Sequence, residues 1–424
     1  MLHRRFSGPL IAVLLLLGTG ALLWRADALG WLTASLISAQ AGPTTLPAGF
    51  SEVVLPFELV NEHIFLAAQV GNSHPLQFML DSGNKLSIIY MDVAQRSGLT
   101  LGSDIQATGM GSQPTRAAFV KNSRFTLAGF PGFSQPVSLA LSLQGLTPRL
   151  GHNLDGILGS DFIEQFVVEL DYQRHTLTLH NRDTFHYSGA GESVSIGLTS
   201  SGHPVLQAAV TPVGGEEISA DFEVDIGASG ALELHSPFVA AHNLPAPGAR
   251  TVPDLGAAGV GGETRGDIGR AAAFRIGSST LRNPFVVFSR DTAGNAAGSA
   301  TQGNIGEEIL SRFKLFFDYA HHRIIFERNP TFADPFDRAF SGLRVEAEGP
   351  DYRVFRVKAI APNSSGAAAG LQLNDVITEA AGIPAPSFTY AVLLDRLRRP
   401  DPLALAVERG GKTLAVALTP RQLE

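Results

Sequence analysis

Short runs in which apolar and polar positions alternate dominate the pattern along this chain. His63 to Val70 and His203 to Val210 both alternate well enough to be strands, because successive strand side chains point to opposite faces. Each is followed by a turn, Gly71-Asn72-Ser73 and Val213-Gly214-Gly215, and then by a second strand that ends in an aspartate. The two endings are Phe78-Met79-Leu80-Asp81-Ser82-Gly83-Asn84 and, 144 positions later, Phe222-Glu223-Val224-Asp225-Ile226-Gly227-Ala228. The pattern predicts a β-hairpin that delivers an aspartate to a loop, made twice.

The repeat runs on downstream. Glycine-bearing segments follow at Gly109-Met110-Gly111 and Gly259-Val260-Gly261-Gly262. Next come Ile157-Leu158-Gly159 and Asn304-Ile305-Gly306, whose final glycines lie 78 and 81 residues after their aspartates. Each unit closes on an apolar strand ending in Asp-Tyr, Phe166 to Tyr172 and Phe313 to Tyr319. Five features in one order with nearly constant spacing define two homologous β lobes, at about 50–185 and 200–330. The Gly- and Ser-rich stretch 188–202 reads as their connection, and 329–350, with its prolines and charges, as a second linker.

A third unit, 345–424, has its own pattern. Tyr352 to Ile360 alternates as a strand, Pro362 to Leu371 reads as a short helix and turn, and Asn374 to Ile377 opens a further strand. Ser387 to Leu397 carries Leu393, Leu394 and Leu397 on one side, which predicts an amphipathic helix of about three turns. Leu403 to Val407 and Thr413 to Leu418 read as closing strands.

Composition narrows the function. With 44% hydrophobic and 17% charged residues the chain is globular, and 45 glycines with 25 prolines favour a turn-rich, mainly β architecture. A net charge of −7 without a basic stripe argues against nucleic acid as a partner. The absence of cysteine rules out disulfides, thiolate metal sites and a cysteine nucleophile. Arg4 and Arg5 precede an apolar run from Pro9 to Trp24, so residues 1–41 read as an export signal or a membrane anchor. Either places the remainder outside the cytoplasm, in the periplasm or tethered to the inner membrane.

Two carboxylates held ~3 Å apart cannot both ionise, so they share a proton. The ionised one takes a proton from water while the protonated one donates to a carbonyl oxygen. Amide hydrolysis by this route needs no metal, no cofactor and no covalent intermediate. It needs a symmetric support, which a duplicated lobe supplies.

The two units resemble the lobes of a pepsin/retropepsin-type aspartic protease, over roughly residues 50–330. Asp81-Ser82-Gly83 and Asp225-Ile226-Gly227 match that family's active-site loops, and the motifs ending in Gly159 and Gly306 match the glycines that brace them. The resemblance implies Asp81 and Asp225 as the catalytic pair. It implies Gly109, Gly111, Gly259 and Gly261 as flap residues over the cleft, of the short retroviral kind without a tyrosine. Peptides or proteins are the implied substrates. The third unit resembles a bacterial PDZ domain, most specifically from Pro362 to Ile377. That implies capture of an extended peptide by strand addition beside Val354, Phe355, Arg356 and Val357.

This chain departs from the family pattern at Ile226, where the family has a hydroxyl that locks the two loops, and at Asn84. A folded, non-catalytic peptide-binding platform is therefore the alternative reading. Asp171 and Asp318 are expected to cap turns, and Asp155 and Asp161, which flank Gly159, to be exposed. His175, His180 and His186 do not share a strand face, nor do His321 and His322, so no metal set is expected. Neither a Gly-x-Ser-x-Gly elbow nor a phosphate loop occurs.

Overall fold

A computed structural model describes residue 46 and residues 50–107, 115–142, 145–256, 258–259 and 262–423. Residues 1–41, expected to be an export signal or anchor, and Gly109, Gly111 and Gly261 lie outside the described residues. The fold is mainly β with barrel-like sheets. No helix among the described residues is long and apolar enough to cross a membrane.

In the first repeat, His63–Val70, Leu76–Leu80, Gly156–Leu158, Ile88–Tyr90, Phe130–Leu141 and Thr115–Leu127 pair in that order. The circuit closes where Ala68 pairs with Leu127. The second repeat runs the same circuit through Pro204–Pro212, Ile218–Val224, Gly303–Ile305, Leu232–Leu234, Phe285–Ser289 and Gly266–Ile276. It closes where Ala208 pairs with Ile276. Fully buried phenylalanines fill both barrels, Phe78 stacking edge-on against Phe125 and Phe222 against Phe274.

Each circuit holds one unusual slot. Leu76–Leu80 runs parallel to Gly156–Leu158, while Ile88–Tyr90 lies antiparallel on that strand's other side. Ile218–Val224 and Leu232–Leu234 flank Gly303–Ile305 in the same way. The chain from one flank to the other must cross the end of the inserted strand, and the aspartate sits at the start of that crossing.

The closing strands join the lobes. Val167–Asp171 pairs antiparallel with Phe313–Asp318, matching Val168 to Phe317 and Leu170 to Leu315. Glu52–Pro56 and Thr176–His180 extend this sheet on one side, Arg323–Arg328 and Glu192–Leu198 on the other. The expected connection 188–202 thus contains a strand, because Glu192–Leu198 finds partners in both Arg323–Arg328 and Pro204–Pro212.

The C-terminal unit has a core of its own, built on Phe355, Val357, Ile377, Leu393, Leu405 and Val407. Its sheet runs Leu343–Glu348, Val354–Ile360, Val376–Ala380, Leu403–Arg409, Lys412–Leu418. The helix Tyr390–Leu397 is shorter than its pattern predicts; the Thr389 hydroxyl accepts the Val392 amide at 3.3 Å and sets its start. The segment 329–350 is not all linker, since it includes the strand Leu343–Glu348.

Strand addition beside Val354 to Val357 does not fit this sheet. Leu343–Glu348 occupies one side of that strand, Val376–Ala380 pairs with Phe355 and Arg356 on the other, and Phe355 and Val357 are buried. The edge strands are Leu343–Glu348 and Lys412–Leu418 instead.

Candidate active site

The two crossings place Asp81 and Asp225 face to face. Both are buried, and their carboxylates lie within hydrogen-bonding reach of each other. The loops that hold them are built alike. The Asp81 amide donates to the Leu158 carbonyl at 2.9 Å, and the Asp225 amide to the Ile305 carbonyl at 3.0 Å. The Gly83 amide donates to Asp81 Oδ1 at 2.7 Å, and the Gly227 amide to Asp225 Oδ1 at 2.9 Å.

Each loop glycine lies against the opposite carboxylate. A Cβ on Gly83 would come within 2.8 Å of Asp225 Cγ, and one on Gly227 would overlap the Asp81 carboxyl group. Glycine is therefore required by close approach at these two positions. Gly159 and Gly306 back the loops from below: a Cβ on Gly159 would sit 2.7 Å from the Asn84 carbonyl oxygen, and one on Gly306 would sit 2.6 Å from that of Gly230. The next residues, Ser160 and Glu307, donate their amides to the Asn84 and Ala228 carbonyls at 2.7 and 2.9 Å.

The lock between the loops is one-sided. Ser82 Oγ donates to the Val224 carbonyl at 2.6 Å and accepts the Ile226 amide at 3.1 Å. Ile226 is fully buried and packs in the main core. Asn84, which stands where the second loop has Ala228, donates from Nδ2 to Asp81 Oδ2.

This difference separates the two carboxyls. Burial pushes Asp81 up, while the Asn84 amide and the Gly83 amide favour its ionised form. Burial pushes Asp225 well up, and the charges of Asp81 and Glu223 push in the same direction. Of the two carboxyls, Asp225 is pushed up further and holds the shared proton more strongly.

Asp81, Asn84 and Asp225 line a cavity of about 420 Å³, together with His63 and Gly259. Gly259 belongs to a small hairpin in which Ala258–Gly259 pairs with Gly262–Glu263. The C-terminal unit reaches the same cavity through Leu343, Val345, Tyr390 and Leu394. Arg344 ties it to the hairpin, donating to the Leu255 carbonyl at 2.8 Å and facing Glu263 at 3.1 Å. Arg398 pairs with Glu62, whose other oxygen accepts the Gly230 amide at 2.9 Å. Glu62 therefore touches the first lobe, the second aspartate loop and the C-terminal unit. Burial raises its carboxyl, but the Arg398 and Arg338 charges outweigh that and hold it at about 2.

Asp161 is buried, not exposed: it accepts the Ser87 amide at 2.9 Å and the Ser87 hydroxyl at 2.6 Å, and burial pushes it up to about 7. Asp155 is partly buried, accepting the Gln77 amide at 2.9 Å. Asp171 caps its turn by accepting the Gln173 and Arg174 amides, whereas Asp318 is a buried partner of His321 and Arg323. His180 pairs with Glu169 at 2.8 Å, and no group of potential metal ligands gathers among the described residues. Val354 to Val357 are not among the residues lining the cavity. Two residues near the site had no local signal. Glu62 lies 336 positions from Arg398, and Ser87 looks like any serine of a loop.

None of the curated proteins matches the chain. Among solved structures it is similar to the basic 7S globulin from soybean, at 10% identity and a TM-score of 0.41, over 65% of this chain and 95% of that one. Residues 66–162 match the family model described as an aspartyl protease, a span that includes Asp81, Ser82, Gly83 and Gly159.

Proposed function

We propose that this chain is an exported aspartic endopeptidase in which Asp81 and Asp225 activate water against a peptide bond. The observation that carries the reading is the contact of the two buried carboxylates across loops of matching construction. Asp81 takes a proton from water as the oxygen attacks the carbonyl carbon, and Asp225 gives its proton to the carbonyl oxygen. In the tetrahedral intermediate the carbon carries two hydroxyls. The proton on Asp81 then passes to the amide nitrogen, one hydroxyl returns its proton to Asp225, and the C–N bond breaks. No metal or cofactor takes part. Residues 1–41 act as export signal or anchor, so that the enzyme works in the periplasm or at the inner membrane. The C-terminal unit is PDZ-like, and peptides or proteins are the substrates.

A second reading, a peptide-binding platform without catalysis, is favoured by Ile226, which cannot supply the second hydroxyl of the lock. Peptide cleavage from acid to neutral pH separates the two. Cleavage by the wild-type chain is expected to disappear in Asp81→Asn and in Asp225→Asn, with peptide binding retained. Cleavage that survives both changes rules out the dyad, and a wild-type chain that binds peptides but cuts none supports the platform.

A further inference from the structure

The resemblance casts the C-terminal unit as a separate docking module, yet its position is different. Its edge strand Leu343–Glu348 and helix Tyr390–Leu397 turn Leu343, Val345, Tyr390 and Leu394 into the cavity that Asp81 and Asp225 line. The hydroxyl of Tyr390 donates to the Val345 carbonyl and ties helix to strand at this wall. Leu146 and Leu150 of the first lobe and Leu255 of the second line the same cavity.

The unit is held there by contacts to both lobes. Arg149 faces Glu346 at 3.4 Å, the Tyr352 hydroxyl donates to Asn153 Oδ1 at 3.0 Å, and Gly151 packs so tightly on the Tyr390 ring that a Cβ would overlap it. Arg344 and Arg398 add the links to the second-lobe hairpin and to Glu62.

We propose that the C-terminal unit forms a wall of the substrate chamber and that Leu394 is a specificity-determining residue, closing an apolar subsite for one bulky side chain of a bound peptide. This rests on the hydrolytic reading above. The chemistry follows from the surroundings: the cavity's arginines are each engaged with a carboxylate, Arg149 with Glu263, Arg338 with Glu308, Arg344 with Glu263 and Arg398 with Glu62. The lining also includes the carboxylic residues Glu223, Glu233 and Asp254, and its aliphatic part includes Leu146, Leu150, Leu255 and Leu394. Apolar side chains gain by leaving water there, and charged ones lose their hydration. A cavity of about 420 Å³ is at the small end of ligand-binding pockets, so the occupant is an extended segment and not a folded surface.

The test is cleavage of a peptide library by the full chain, comparing wild type with Leu394→Ala and Leu394→Arg. Leu394 is only partly buried, so neither change empties the core of the C-terminal unit. Val392→Arg, an exposed change on the same helix that does not line the cavity, serves as control. In Leu394→Arg the preference for leucine over aspartate, measured as a ratio of kcat/KM, should fall at least about tenfold at one substrate position and stay unchanged at the others. Leu394→Ala should admit larger side chains at that same position, and the control should behave as wild type. A uniform loss at all positions, or unchanged preferences in an active Leu394→Arg chain, overturns the subsite while leaving the dyad standing. A wild-type chain that cuts no peptide overturns the hydrolytic reading, and the subsite with it.

Discussion

The hydroxyl of Ser82 accepts the amide of Ile226 at 3.1 Å, joining two loops that are 144 residues apart in the chain. The same hydroxyl donates to the Val224 carbonyl, so one side chain satisfies a buried donor and a buried acceptor of the opposite lobe. Ser82→Ala withdraws this partner from both and should cost about 2 kcal/mol of unfolding free energy. Ser82→Thr keeps the hydroxyl and should cost much less. Urea denaturation measures both, and equal midpoints for wild type and Ser82→Ala would show that the bridge contributes nothing.

Gly227 lies against the Asp81 carboxyl group. Gly227→Ala should lower peptide cleavage at least about a hundredfold, since an ångström of misplacement is enough for that. Gly197→Ala, where an added Cβ meets nothing within 4 Å, should leave cleavage unchanged. Similar rates in both variants would mean that the loops part without consequence.

Asn84 favours the ionised form of Asp81 by donating to it. Asn84→Ala removes that donor, raises Asp81 further and should move the acid limb of the kcat/KM profile to higher pH. The alkaline limb, where Asp225 loses its proton, should move less. An acid limb that stays in place would assign it to another group.

Asp161 keeps its proton up to about pH 7 in the folded chain, against an ordinary 3.8. Below pH 3.8 both states hold the proton. Between 3.8 and 7 the unfolded chain releases it and the folded chain does not, so stability should fall by roughly 1.4 kcal/mol per pH unit from this group. Asp161→Asn should flatten that slope in unfolding measurements at pH 4 to 7. An unchanged slope would place the titration elsewhere.

Glu62 titrates in the opposite sense, at about 2 against an ordinary 4.5. Its contribution is complete above pH 4.5 and is lost as pH falls from there toward 2. Glu62→Gln keeps an acceptor for the Gly230 amide but loses the charge facing Arg398, and should cost about 1 kcal/mol at neutral pH because the pair is partly exposed. Hydrogen exchange should quicken in the C-terminal unit and around Gly230. Acceleration confined to one of these would show that Glu62 does not connect them.

The repeat made the pairing of the two aspartate loops legible, because spacing alone aligns Asp81 with Asp225 and Gly159 with Gly306. The unequal loops were legible too, as mismatches at Ser82 and Ile226 and at Asn84 and Ala228. What lay beyond reach were contacts between units. Nothing around Leu394 distinguishes a helix face turned toward a cavity from one turned to solvent. The alternation of Tyr352 to Ile360 identifies a strand but not its neighbours, so an inner strand passes for an edge. Asp161 reads from the sequence as exposed, and only the fold brings Ser87 to it.

The sheet that joins Val168 to Phe317 has a consequence for how this molecule depends on its own abundance. Two halves tethered in one chain meet at an effective concentration that dilution cannot lower. Activity per chain should be constant however scarce the protein is. Tethering also frees the halves from being copies: a site assembled from identical subunits must use the same loop twice, whereas here the two loops differ and Asp225 is pushed up further than Asp81.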